Sequence, residues 1–124
     1  EKITEEDFEI FQSSTLNPET KEVMAKNINK GLSLEDAFSS PHGRVLTQDM
    51  DSVLMESLSK IMLFKHDDSK PVEQNYSNIL ALILEHNTAL KVKARWEAIL
   101  RTKESSLNKI KNISNKIKQG RKGG

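Results

Sequence analysis

Apolar residues recur along this chain at spacings of three and four, the repeat of helices with one buried face. Phe8 and Phe11 share a face, and Thr4 stands ahead of Glu5, Glu6 and Asp7. A threonine hydroxyl there accepts from an orphan backbone N–H, and the acids suit the positive end of a helix dipole. This predicts a short helix over 5–13, ending at Ser13-Ser14. Asn17-Pro18-Glu19 sets a capping residue before a proline at the first helical position. Val23, Met24, Ala25 and Ile28 follow, and Gly31 is placed as a left-handed stop, so the second helix is predicted over 18–30. Leu34, Ala37 and Phe38 make a third, short element, broken by Ser39-Ser40-Pro41-His42-Gly43.

A stronger helix opens at Thr47-Gln48-Asp49. Met50, Val53, Leu54, Leu58, Ile61, Met62 and Phe64 form its stripe, and it should run to about Lys65. His66–Lys70 reads as a polar loop. Pro71 can open the next helix. There Tyr76, Ile79, Leu80, Leu82, Ile83 and Leu84 cover more than one face, which makes 71–86 the segment expected to be most buried. His86-Asn87-Thr88 favour caps and turns, so a break is expected near Asn87. The alternative is one helix from Pro71 to about Lys118, roughly 72 Å long at 1.5 Å per residue.

The C-terminal segment narrows to a seam. Trp96, Leu100, Leu107, Ile110 and Ile117 fall on a seven-residue repeat over about three heptads, as in a coiled coil. Lys103 and Ser114 fill two seam positions, and Ile113 lies beside the second. Lys91, Arg95, Lys109 and Lys116 line one flank; Lys93, Lys111 and Lys118 line the other. Like charges on both flanks disfavour parallel self-pairing and suit an acidic partner. That partner could be internal: the first helix offers Glu5, Glu6, Asp7 and Glu9, and the helix after Thr47 offers Asp49, Asp51 and Glu56. It could equally be another protein or a phosphate backbone. Trp96 and Leu100 also read as ordinary core. Leu107, Ile110, Ile113 and Ile117 would be wet on an isolated helix that is marginal alone in water, so this stretch should dock on something.

Charge sharpens this division. Residues 1–90 carry 16 acidic and 8 basic side chains, a net −8, whereas 91–124 carry 2 and 11, a net +9; the whole chain is +1. The 124 residues are 35% hydrophobic and 30% charged, with a mean hydropathy of −0.59. That predicts a thin core, since globular chains average roughly 45–50% apolar. The longest apolar run, Ile79–Leu84, is far short of the roughly 20 residues of a spanning helix. A membrane-surface helix is also disfavoured, because the distal apolar line has no Trp or Phe. Cys is absent, which removes disulfides and thiolate ligands and fits a reducing, intracellular compartment. With 5 Gly and 3 Pro, a turn-rich β fold is disfavoured. The chain begins at Glu1 without a signal-peptide pattern and reads as a fragment or processed form.

Catalytic and ligand-binding patterns are not signalled. No glycine-rich phosphate loop, zinc spacing, calcium loop or nucleophile elbow occurs. His66 with Asp67 and Asp68 could hold a metal weakly but reads better as a solvated turn. Adjacent carboxylates such as Glu5-Glu6 do not face each other on a helix. The two short helices about Gly31 have helix-turn-helix-like spacing, yet Glu35 and Asp36 stand where a recognition helix wants basic groups. Met50 and Met62 belong to the predicted core stripe, and Met55 lies off it as an exposed contact.

The expectation is an all-α protein: a small helical bundle with a long basic amphipathic C-terminal helix. An acidic body would span 1–90 and the basic helix 91–119, continuous with helix 71–86 if no break intervenes. Residues 120–124 would be a flexible tail. The expected function is a non-enzymatic protein–protein interaction or assembly module, with no cofactor and no metal. Trp96, Leu100, Leu107, Ile110, Ile113 and Ile117 would anchor a protein partner or a second copy. Lys91, Arg95, Lys109, Lys111, Lys116 and Lys118 would meet acidic groups or phosphates. The alternative is a nucleic-acid-binding accessory protein using the basic arm non-specifically. Trp96 is the only aromatic after Tyr76, which disfavours base stacking.

Overall fold

A computed structural model describes residues 2–123, with side chains to residue 121. The chain is all-α, with four helices among the described residues: α1 (Glu5–Ser13), α2 (Pro18–Ser39), α3 (Pro41–Met62) and the long α4 (Val72–Gly123).

Helix α1 starts where the acidic cluster predicts. The Thr4 hydroxyl accepts from the Asp7 N–H at 3.2 Å, and the Thr4 N–H donates to Asp7 Oδ2 at 3.0 Å. This reciprocal capping box satisfies two orphan donors. At the other end, the Lys21 ammonium donates to the carbonyls of Gln12 and Ser14, both at 2.7 Å, where a cation suits the helix's negative end. Asn17 Oδ1 then accepts from the Glu19 N–H at 2.8 Å and starts α2.

Three expected boundaries are corrected. Gly31 does not stop α2, which continues to Ser39 and absorbs the short element predicted at 33–38. Gly31 lies inside this helix without a left-handed φ, and its missing side chain lets α4 pass so close that a Cβ on it would lie 2.4 Å from Lys103 Cβ. Helix α3 begins at Pro41 rather than Thr47. Ser40 caps it, accepting from the Gly43 N–H at 3.0 Å, with Pro41 at the helix start. Gly43 is required there, since a Cβ would meet the Ala37 carbonyl oxygen at 1.7 Å. The helix ends at Met62, short of Lys65.

The break expected near Asn87 is absent: α4 is one helix. The polar residues that signal a break are satisfied without leaving it. The Thr88 hydroxyl donates to its own helix's Leu84 carbonyl at 2.8 Å, and His86 Nδ1 lies 2.7 Å from Ser57 Oγ on α3. Residues 120–123, expected as tail, are included in α4, and Gly124 lies outside the described residues.

The chain divides into two compact units. Unit 1 takes the N-terminal residues through Asp36 and the chain from Ala98 onward. Its core joins Phe11, Met24, Ile28 and Ile110, with Ile3, Phe8, Leu16, Leu107 and Ile113 packed against it. Unit 2 is Ala37–Glu97, built on α3 and the first part of α4. Its buried hydrophobic residues are Leu54 and Ala89. Phe38 and Trp96 meet edge to face, with ring centroids 5.1 Å apart. The loop before α4 is tied by the buried Asn75 amide. Its Oδ1 accepts from the Asp67 N–H at 2.8 Å, and its Nδ2 donates to the carbonyls of Asp67 and Pro71 at 3.0 and 3.1 Å.

The segment 71–86 is not the most buried part of the chain. Tyr76, Leu80, Ile83 and Leu84 are exposed, at 64%, 37%, 37% and 56%. Its apolar residues cover more than one face, and within unit 2 the neighbouring helix covers only one. Met62, expected in the core stripe, is exposed at the end of α3, whereas Met55 is exposed as its off-stripe position implies.

Candidate functional site

Unit 1 answers the question of what the basic seam docks on. Helix α1 carries Asp7, Ile10 and Phe11 as its buried residues. Three α4 side chains reach Asp7, which has no exposed surface. The Ser114 hydroxyl donates to Oδ1 at 2.6 Å, Lys118 Nζ to Oδ1 at 3.1 Å, and Lys111 Nζ to Oδ2 at 3.0 Å. Residues 111, 114 and 118 share one face of the helix, so three donors converge on one carboxylate. The Ser114 hydroxyl above all, then the Thr4 backbone N–H and the two lysines, hold the Asp7 carboxyl far below the usual carboxylate range, against the opposing effect of burial. Lys118 also lies 3.8 Å from Glu6.

The second polar seam position behaves alike. Lys103 is buried over Gly31 and forms ion pairs with Glu35 and, at 2.9 Å, with Glu104. Its ammonium is held above the ordinary lysine range, chiefly by the hydrogen bond to Glu35 and next by Glu104. Burying a charge is costly unless it is paired, and both polar breaks in the apolar seam are paired within the chain.

The expected partner-binding residues therefore separate. Ile110 is core, 1% exposed, and Leu107 and Ile113 pack beside it. Leu100 and Ile117 are half-buried in unit 1, and Trp96 is half-buried in unit 2 against Phe38. Among the expected basic contacts, Lys111 and Lys118 are committed to Asp7. Lys91, Arg95, Lys109 and Lys116 are exposed. In unit 2 the flanking Lys93 pairs with Asp51 at 3.2 Å.

Unit 2 holds the surface that sequence reasoning missed. A cleft of about 510 Å³ lies between α3 and α4, floored by Leu46, Met50, Val53, Ala89, Val92 and Trp96. Asp49, Glu85 and Thr88 complete its rim. The exposed large apolar side chains concentrate in this unit: of those on the described surface, all but Val23 and Leu32 lie in unit 2. Their signal in the sequence is in part the excess of apolar residues over 76–84, whereas the cleft itself is lined from 46–53 and 85–96.

Ser57 and His86 form a pair that spacing could not reveal, 29 positions apart. Ser57 is 1% exposed and also donates to its own helix's Leu54 carbonyl at 3.1 Å. Among the described residues no carboxylate hydrogen-bonds the His86 ring. The pair gives the buried Ser57 hydroxyl a second hydrogen-bond partner. His66 lies 3.6 Å from Asp68, both exposed. Asp67 instead accepts from the Ser69 backbone and hydroxyl, which lowers its carboxyl. Among the described residues no group of three His, Cys, Asp or Glu could hold a metal, and no helix is long and apolar enough to cross a membrane.

Compared with protein-family models, curated proteins and solved structures, the chain matches none.

Proposed function

We propose that this chain is a non-enzymatic interaction or assembly module that associates with a second copy of itself through α3 and α4. The observation that carries this reading is the apolar surface of unit 2. Leu46 stands 64% exposed at a cleft lined by Met50, Val53, Val92 and Trp96, and Met62 and Tyr76 are exposed elsewhere on the same two helices. Exposed apolar side chains concentrated in one unit mark an interaction surface, and helix-on-helix docking buries them. The chain also carries charges that suit the cleft's rim. Asp49 and Glu85 flank it, and Lys91, Arg95, Lys109 and Lys116 are exposed. Such charges set orientation and on-rate more than affinity.

Light scattering after size exclusion tests this at low and high salt. The expected result is an oligomer that persists at high salt, because its contact is apolar. Met50→Asp with Val92→Asp, placed in the cleft, should return the monomer. A monomer at both salts over a wide concentration range would overturn self-association.

A second reading, non-specific nucleic-acid binding, is favoured by the exposure of those same four basic side chains. It requires binding to duplex DNA whose logarithm falls linearly with log salt, at a slope reduced by Lys109→Gln and Lys116→Gln. Salt-insensitive or absent binding would remove it.

A further inference from the structure

The way α1 sits on α4 carries an inference about a different surface, in unit 1. Helix α1 has nine residues, too few to hold a helix alone in water. Its helical form therefore depends on the groove beneath it. The groove recognises it at two points. Ser114, Lys111 and Lys118 converge on the Asp7 carboxylate, and Ile28 and Ile110 receive Phe11. Yet α1 does not fill the groove. A cleft of about 250 Å³ remains beside Phe8 and Phe11, walled by Ala25, Ile28 and Ile110. Gln12, Lys21 and Glu22 complete its lining, with Gln12 and Glu22 at the exposed surface, so a helix with a larger side chain at this point would bury more apolar area than α1 does.

We infer that this groove is a receptor for an acidic amphipathic helix supplied by a partner protein, with α1 as its tethered competitor. The partner would carry a carboxylate for the Ser114–Lys111–Lys118 face and, three and four residues on, apolar side chains as Ile10 and Phe11 are placed after Asp7. A bulkier aromatic in the place of Phe8 would use the remaining cleft. Charge complementarity favours such a helix: from Ala98 onward the chain carries 8 basic residues and 1 acidic one, a net +7, and α1 brings Glu5, Glu6, Asp7 and Glu9. A tether raises α1's effective concentration into the millimolar range for a short flexible link. The link here is four residues, Ser14 to Asn17, with Leu16 packed against the core, so lengthening it or weakening the contacts of α1 opens the groove.

The probe is a fluorescein-labelled peptide of residues 2–16, titrated by anisotropy against the full chain. Two chain variants weaken the competitor differently: Phe11→Ala, and a Gly/Ser insertion of about 20 residues between Ser14 and Asn17. The insertion leaves Asp7, Phe8, Ile10 and Phe11 unaltered and keeps the test informative if Phe11→Ala unfolds. Both variants should bind the peptide several-fold tighter than the native chain. Asp7→Asn in the peptide should weaken binding about tenfold or more, the worth of a hydrogen bond to a charged group. Phe8→Trp should strengthen it. Failure to bind either variant, at peptide concentrations up to about 1 mM, would overturn the inference. So would equal binding of the parent, Asp7→Asn and Phe11→Ala peptides. Displacement by duplex DNA with no dependence on the peptide's Phe11 would show a groove that reads charge alone and would overturn it as well. None of these outcomes depends on the oligomeric state that tests the function proposed above.

Discussion

The Ser114 hydroxyl donates to the Asp7 carboxylate at 2.6 Å, joining residues 107 positions apart in sequence. Asp7 thereby does two jobs. It closes the capping box of α1 and pins that helix to α4. Both jobs need the charged carboxylate, and its folded pKa is strongly depressed. The unfolded chain therefore binds more protons in acid than the folded one. The stability Asp7 contributes is complete above its unfolded pKa of about 3.9 and is lost as pH falls below that value. Circular-dichroism melts from about pH 6 to about pH 2.5 should show the native chain losing Tm steeply below about pH 4. Asp7→Asn should melt lower at neutral pH and approach the native chain in acid. Parallel curves for the two proteins would show that another group governs the acid transition.

Gly31→Ala tests the close approach of α2 and α4. On an isolated helix this change is favourable by about 1 kcal/mol. Here the new methyl would lie 2.4 Å from Lys103 Cβ, the near end of that side chain and so unable to swing away. Overpacking of this kind costs about 1–3 kcal/mol. The expected outcome is a lower urea midpoint. A raised midpoint would mean that the helices part at little cost.

Asn75 is the tie of the loop before α4. Its amide accepts one backbone hydrogen bond and donates to the carbonyls of Asp67 and Pro71. Asn75→Ala takes its partner from the Asp67 N–H, while the carbonyls of Asp67 and Pro71 keep the N–H groups of Lys70, Gln74 and residue 75, so the cost is about 1 kcal/mol. Hydrogen exchange should read the loss first at the Asp67 amide. Asn75→Asp keeps the acceptor and loses the donors, so it should restore only protection at that amide. Unchanged exchange in Asn75→Ala would show the loop held by other contacts.

Much of the fold is legible in the sequence because its signals are local. Thr4 with Asp7 and Asn17 with Pro18 announce two helix starts through side chains a few residues apart. The all-α class and the basic seam follow from periodicity. What is not legible depends on neighbours distant in sequence. Gly31 looks like a stop until Lys103 passes over it. Asn87-Thr88 looks like a break until Thr88 bonds back to Leu84 and His86 finds Ser57. The exposed apolar surface of unit 2 is hidden for the opposite reason. An apolar run such as 76–84 implies burial, and how many helices surround it is a property of the tertiary arrangement. Ser114 shows the limit most clearly, since a serine in an apolar seam reads as a gap until Asp7 is seen beneath it.

Ile110 gives the sharpest contrast between seam and surface. From spacing alone it is an anchor for a partner, and changing it with Ile117 should remove association while the body stays folded. In the structure Ile110 is 1% exposed within the core of unit 1, and Ile117 is half-buried. Truncating a buried isoleucine forfeits its transfer energy and leaves a cavity. Ile110→Ala should therefore cost about 2–5 kcal/mol, while Met55→Ala, 72% exposed, should stay within about 0.5 kcal/mol of native. Urea unfolding followed by far-ultraviolet circular dichroism measures both. Trp96, the single tryptophan, lies in unit 2 and reports that unit separately by fluorescence. Loss of the circular-dichroism midpoint in Ile110→Ala is the expected result. An unchanged midpoint would return Ile110 to the surface and make it once more an anchor for a partner.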